Sequence, residues 1–292
     1  MSLPQFVHLE PSSVQEACTM LSTYGEAAMI LAGGTDLLVK MKQRRLVPRY
    51  VVNIKRVPDL GYIRYEAGKG IRIGALATIE ELKNSPVVRR RYRILHQAAS
   101  LMGTMEIRNR ATLVGNVCNA SPSAETVPAL IALGARARVV GPKGERILPV
   151  EELLVGAGQT ALGTGELVRE IDIPEPAPGL GGAYEKHSLR RMDRAVVAVG
   201  VVLALDGGAC VDARIVLNAV APMAMRARKA EALLRGQVPS EEVIESVSWA
   251  AAEESRPRTG FHGTAEYKRN IVGILTRQVT KQALSNANLE VI

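Results

Sequence analysis

The chain has 292 residues, 47% hydrophobic and 23% charged, so it is long enough to bury one large core or two smaller ones. Its formal net charge is +8, but with only two Phe and one Trp it lacks an aromatic surface for single-stranded nucleic acid, and we expect no nucleic-acid partner. Three scattered cysteines exclude a zinc or iron–sulfur cluster site and are typical of a cytoplasmic protein, and no apolar run is long enough for a membrane span.

Helix and strand signals alternate through the first third of the chain. Ser13 with Glu16, and Thr78 with Glu81, have the spacing of capping boxes and predict two helix starts. Short apolar runs predict strands at 29–32, 51–54, 62–65 and 71–74. Pro86 opens a predicted helix that continues to about Met102.

The rest of the chain divides at a proline-rich segment. Ser123 is expected to cap a helix over 125–133, and a hairpin turn is expected at 141–144. Three prolines within 174–178 cannot continue a helix or a central strand, so we predict domains at 1–175 and 180–286. The second domain is predicted to contain strands at 183–187, 195–205 and 211–220, then helices at 224–234, 240–253 and 264–284. Trp249, on the middle helix, is expected in the core.

Two glycine-bearing loops are the most informative feature of the sequence. The first is Leu31-Ala32-Gly33-Gly34-Thr35-Asp36, which runs into Leu37. The second is Thr112-Leu113-Val114-Gly115-Asn116, followed by a segment that contains Ser121 and Glu125. Each loop places small and capping residues where a strand can end and a helix begin, and such junctions offer backbone N–H groups to anions.

Two such loops in one domain could hold a pyrophosphate, so a dinucleotide is the first ligand to consider. Glu125 could accept hydrogen bonds from ribose hydroxyls. The loops match neither the G-x-G-x-x-G fingerprint nor a P-loop. For the first loop alone, a tight turn without a ligand is the alternative.

At these residues the chain resembles the FAD-binding medium subunit of the molybdenum hydroxylases, the family of xanthine dehydrogenase and carbon monoxide dehydrogenase. The first loop is similar to its A-G-G-T/H-D/S motif and the second to its T-I/L-G-G-N motif. The resemblance covers essentially the whole chain, because it continues at Ile107–Asn109, Tyr184–Lys186, Arg190–Ala195 and Ala265–Arg269.

The resemblance implies an α+β fold with two parts. The first is a two-subdomain FAD-binding domain of the vanillyl-alcohol-oxidase or PCMH type, and the second is a small C-terminal α+β domain with an antiparallel sheet and helices. It also implies non-covalent FAD on this chain and electrons arriving from [2Fe-2S] clusters of a small subunit. A large molybdopterin-binding subunit performs the substrate chemistry, so no catalytic residue is expected here, and the three chains are expected to form a dimer of heterotrimers.

The resemblance also assigns roles to individual residues. The stretch from Leu31 to Leu37 should surround the pyrophosphate, with Thr112, Gly115 and Asn116 on its other side. Ser121 and Glu125 should add a hydroxyl and a ribose contact. Lys186 and Asp193 should lie near the flavin ring, although a solvated strand lysine and a turn aspartate remain the alternatives.

Three residues depart from the family pattern. Val114 replaces a glycine, so either that position needs no left-handed backbone or the loop is reshaped and holds FAD more weakly. Glu125 replaces the usual Asp, and Arg194 replaces a small apolar or aromatic residue. An autonomous FAD-dependent reductase and a flavin-free interaction subunit therefore remain alternatives, and neither the substrate nor the electron acceptor follows from the sequence.

Overall fold

The computed structural model describes residues 2–289, which begin with a small parallel sheet. Its strands lie in the order β1-β3-β2 and comprise β1 (Val7–Leu9), β2 (Ala28–Leu31) and β3 (Tyr50–Asn53). Helix α1 (Val14–Tyr24) connects β1 to β2, and α2 (Leu37–Lys42) follows the first glycine loop. This arrangement places the first loop at the carboxyl end of β2, where ligands of α/β units commonly bind.

The start of α1 is only partly as predicted. Ser13 Oγ accepts a hydrogen bond from Glu16 N at 3.1 Å, as an N-cap should. The Glu16 carboxylate instead accepts from the backbone N–H and hydroxyl of Ser12, so this capping box is only half formed. The box at Thr78 and Glu81 is complete and is confirmed.

A five-stranded antiparallel sheet forms the second part of the first domain, in the order β4-β5-β10-β6-β7. Its strands are β4 (Ile63–Glu66), β5 (Gly70–Gly74), β6 (Arg136–Gly141), β7 (Gly144–Pro149) and β10 (Leu167–Ile173). Helix α9 (Val150–Leu153) and the short pair β8 (Leu154–Gly156) and β9 (Gln159–Thr160) precede β10.

Six helices connect β5 to β6 and carry the second glycine loop. They are α3 (Ile79–Asn84), α4 (Pro86–Arg91), α5 (Arg93–Leu101), α6 (Met105–Arg108), α7 (Leu113–Cys118) and α8 (Thr126–Ala132). The single helix predicted from Pro86 is wrong, because Tyr92 leaves helical geometry at φ −124°, ψ 51° and its side chain is fully buried. Ser123 does not cap α8 either, because Glu125 is at the N-cap position. The Ser123 hydroxyl lies 3.3 Å from that of Ser121.

The C-terminal part is an antiparallel sheet covered by helices, which confirms the predicted α+β class. Its strands are β11 (Leu180–His187), β12 (Val197–Asp206), β13 (Ala209–Asn218) and β14 (Met225–Arg226), in that order. The helices are α10 (Arg228–Leu234), α11 (Glu241–Glu254) and α12 (Ala265–Leu289). Trp249 on α11 is 70% exposed, so its predicted core position is wrong.

Strand β12 is apolar on both faces because the sheet packs against two sets of helices. Val199 and Val201 belong to the core shared with α10, α11 and α12. Ala198 and Val202 point to the opposite face and belong to the core of the first domain, next to α5 and α8. Since alternate residues of a strand face opposite sides, this run of small apolar residues fixes the C-terminal sheet against the first domain. Within residues 2–289, no helix has both the length and the apolarity needed to cross a membrane.

Candidate functional site

A cavity of about 830 Å³ lies where three chain segments meet. Two are the predicted glycine loops, and the third extends from Gly158, before β9, to the first residues of β10. The lining includes the predicted residues Ala32, Gly33, Gly34, Thr35, Asp36, Leu37, Thr112, Gly115 and Asn116. The cavity is within the size range of cofactor sites.

The first loop packs directly against the backbone that precedes the second loop. A Cβ on Gly33 would lie 2.9 Å from the carbonyl carbon of Arg110 and 3.0 Å from Cα of Ala111, with the Arg110 oxygen closer still. Gly34 adopts the left-handed conformation, with φ of 81°, before α2 begins. Glycine at both positions therefore allows the chain to turn sharply while the two loops stay in contact.

The backbone donors of the two loops are used differently. Between residues 2 and 289, no acceptor is found for the N–H groups of Gly33, Gly34, Thr35 and Asp36, so these four donors remain available to an anion. In the second loop, by contrast, Thr112 caps α7 and several N–H groups are used within the protein, and the ligand role of this loop stays a prediction.

The contacts of the second loop show this commitment in detail. Gly115 N donates to Thr112 Oγ1 at 3.0 Å, and Asn116 N donates to Thr112 O at 2.9 Å. Leu113 N donates to Ala77 O at 3.2 Å. Val114 lies in the first turn of α7, buried and without a positive φ, so its β-branched side chain imposes no backbone strain on the loop.

Asn116 also has a structural contact. Its Oδ1 accepts a hydrogen bond from Thr126 Oγ1 at 2.7 Å, and both residues are buried. This bond ties α7 to the start of α8. The side-chain oxygen of Asn116 is thus satisfied within the protein, while the residue still forms part of the cavity wall.

The remaining predicted residues lie outside the cavity lining. Leu31 packs in a small core beside it, and Ser121 is a part of the loop before α8. Lys186 Nζ lies 3.3 Å from Glu125 Oε1 and donates to the backbone oxygen of Asp193 at 2.8 Å. Lys186 is therefore a buried, ion-paired residue and not a solvated one, and roles of these residues toward a ligand stay predictions.

Burial controls the electrostatics of this pair. Removal from water raises the pKa of the Glu125 carboxyl, while Lys186 opposes that rise by favouring the charged form. Glu125 is at the start of α8 in the first domain, and Lys186 is in β11 of the second, 61 positions later in the chain. Their contact therefore joins the two domains. Replacing either residue with a neutral one would leave the charge of the other buried and without an ion-pair partner.

The third cavity segment was missed by the sequence analysis. It comprises Gly158 and residues 162–168, in which Glu166 accepts hydrogen bonds from Gly163 N and from Arg146. The Arg146 contact holds the pKa of Glu166 below its usual value. The signal was available as four glycines within 156–165, just before β10.

Several further lining residues were not predicted, and they include an acidic residue, Glu26, two cations and a thiol. Lys40 and Arg45 contribute positive charge, and Cys118 contributes a thiol. Burial raises the pKa of Cys118 to about 12, so the thiol stays protonated and is a poor nucleophile near neutral pH. N–H groups without an acceptor among residues 2–289, together with the two cations of this cavity, can bind the phosphates of an anionic dinucleotide such as FAD.

Comparisons with known proteins identify two families along the chain. The family described as the FAD binding domain in molybdopterin dehydrogenase matches residues 4–176. The family described as the CO dehydrogenase flavoprotein C-terminal domain matches residues 182–283. Together the two matches take in both sheets of the first domain and the C-terminal sheet with most of its helices.

Individual relatives span nearly the full length of the chain. The carbon monoxide dehydrogenase medium chain of Hydrogenophaga pseudoflava is 34% identical over 97% of both chains. The nicotine 6-hydroxylase medium subunit of Paenarthrobacter nicotinovorans is 31% identical over 97% of this chain and 99% of that one. A solved structure of the Hydrogenophaga carbon monoxide dehydrogenase superposes with a TM-score of 0.95 at 34% identity, covering 98% of this chain and 99% of that chain.

Proposed function

The chain belongs to the family of FAD-binding medium subunits of molybdopterin dehydrogenases, and we propose that it holds FAD in the cavity between its glycine loops and relays electrons to an acceptor. The family predicted from the two loops is confirmed. The observation that carries the proposed site is the cavity itself, which joins four free backbone donors to two cationic side chains. Both kinds of group bind phosphate oxygens.

Bound FAD supplies the redox chemistry, whereas the protein supplies binding, orientation and electrostatics. The N–H groups of residues 33–36 would bind phosphate oxygens, and the contact of Gly33 with the Arg110 backbone sets the spacing of the loops. Glu125, Lys186 and Asp193 would fix the neighbouring segment through their mutual contacts. No residue of this chain is assigned to substrate chemistry.

We infer that the chain works within a three-subunit complex. Relatives are named as medium chains or FAD-binding subunits, which implies further chains that hold the molybdenum cofactor and the [2Fe-2S] clusters. We propose a dimer of heterotrimers, with domains at 1–175 and 180–286. Three free cysteines support a cytoplasmic location for it.

The test is to produce the chain together with its partner subunits and to measure the FAD released per chain on denaturation. One FAD per chain is expected, and the mass of the intact complex should equal two copies of each subunit. A complex that is fully assembled but contains no FAD, and takes up none when FAD is added, would refute the proposed function.

A further inference from the structure

We propose that Lys40 binds the pyrophosphate of FAD and supplies the cationic contact that the second loop lacks, an inference that rests on the proposed FAD site. Lys40 lies on α2, one turn beyond Asp36, and lines the cavity. Its Nζ donates to Asn119 Oδ1 at 2.6 Å, and Asn119 is the residue at the end of α7 that also lines the cavity. The ammonium thus reaches from the first loop's helix to the second loop's helix.

The charge of Lys40 is uncompensated within the described residues. Asn119 provides a neutral amide oxygen, and between residues 2 and 289 no carboxylate oxygen lies within 4.0 Å of the Lys40 ammonium. The carboxylate of Asp36, the residue immediately before α2, makes no ion pair with it. A lysine ammonium has three donors, so the Asn119 contact leaves two for a ligand.

The hydrogen bonds that the second loop makes within the protein explain why a cation is needed on this side of the cavity. The N–H groups of Leu113, Gly115 and Asn116 are committed within the protein, so among residues 113–116 only the N–H of Val114 has no acceptor within residues 2–289. In the first loop, four N–H groups have no acceptor within residues 2–289, and they suit one phosphate. Lys40, held over the cavity by Asn119, provides a charged donor for the second phosphate.

Two roles for the Lys40–Asn119 contact can be separated. If Lys40 binds phosphate, its positive charge matters and Asn119 only orients it. If the contact is a structural bridge between α2 and α7, removing either partner should have the same effect. The variants Lys40→Gln and Asn119→Ala distinguish these roles, since Lys40→Gln removes the positive charge, whereas Asn119→Ala removes the contact and keeps the lysine.

The experiment measures FAD affinity for the assembled complex after FAD has been stripped, at low and high ionic strength. Lys40→Gln is expected to weaken FAD binding about tenfold to a hundredfold at low salt, the effect of losing a charge-assisted hydrogen bond. Its affinity should depend less on salt than that of the wild type, because a charge pair has been removed. Asn119→Ala should lose less affinity and keep the wild-type salt dependence.

Lys42→Gln is the matched control, because Lys42 is on the same helix but is exposed and outside the cavity lining. Inorganic pyrophosphate should compete with FAD in the wild type and in Lys42→Gln, and more weakly in Lys40→Gln. Equal losses with equal salt dependence in Lys40→Gln and Asn119→Ala would overturn the proposal, as would wild-type affinity in Lys40→Gln. Since every variant is compared with a wild type that binds FAD, these outcomes differ from a failure of the proposed function.

Discussion

Replacing Gly33 with Ala should separate the two glycine loops and release FAD. The new Cβ would lie 2.9 Å from the Arg110 carbonyl carbon, whereas ordinary contacts begin at 3.4 Å, so the backbones must move apart by at least about 0.5 Å. The obstacle is backbone on both sides, so no flexible side chain can move out of the way. Overpacking of this kind costs about 1–3 kcal/mol.

The effect on FAD affinity should be of about the same size as the effect on folding, so the two are measured separately. A shift that removes one hydrogen bond to a charged phosphate costs about 1.5–3 kcal/mol, or about tenfold to a hundredfold in affinity. The assay is FAD affinity of the stripped complex, with thermal melting as a check that the variant is folded. Gly61→Ala is the control, because its Cβ would meet only Leu76 Cβ at 3.9 Å. If Gly33→Ala binds FAD as tightly as Gly61→Ala does, the close approach of the loops does not hold the cofactor.

Three further predictions follow from the described contacts. Arg108→Gln should lower Tm by roughly 5–10 °C. Arg108 Nε pairs with Glu80 at 2.6 Å, both side chains are mostly buried, and breaking such a pair costs about 3 kcal/mol. The control is Arg56→Gln, which removes an exposed ion pair and should change Tm little. Hydrogen bonds from Lys83 and Arg108 lower the pKa of Glu80. The contribution of Glu80 to stability is therefore present above pH 4.5 and is lost as the pH falls through the lowered pKa. In urea unfolding, the free energy of unfolding should fall more steeply with acidification for wild type than for Glu80→Gln. At pH 8 a thiol reagent should label Cys118 slowly in the folded protein and all three cysteines rapidly after denaturation. Fast labelling of Cys118 in the folded protein would contradict the raised pKa of that thiol.

The sequence predicted the features that depend on local chemistry. The glycine loops were found because the strand end, the small residues and the helix cap are adjacent in the chain, as at Thr112. The antiparallel C-terminal sheet followed from long apolar runs between turns. The Thr78 capping box was found for the same reason, since its partner is three residues away.

Features set by distant contacts could not be predicted. The ion pair of Lys186 with Glu125 forms between two domains, so the sequence gives no sign that this lysine is buried. The break at Tyr92 depends on the core that receives its ring, and the exposure of Trp249 depends on which face of α11 meets α12. The use of the Gly115 N–H by the helix cap is likewise visible only in the folded chain.

Electron transfer through this chain is tested most directly by mixing it with the iron–sulfur subunit under anaerobic conditions. The iron–sulfur subunit is first reduced with dithionite, freed of excess reductant and added to the FAD-loaded chain, while the flavin absorption is followed. The account predicts that the flavin absorption bleaches as electrons arrive, and that no bleaching occurs when oxidised iron–sulfur subunit is added. A flavin that stays oxidised in the assembled, FAD-loaded complex would contradict the role of this chain as an electron relay.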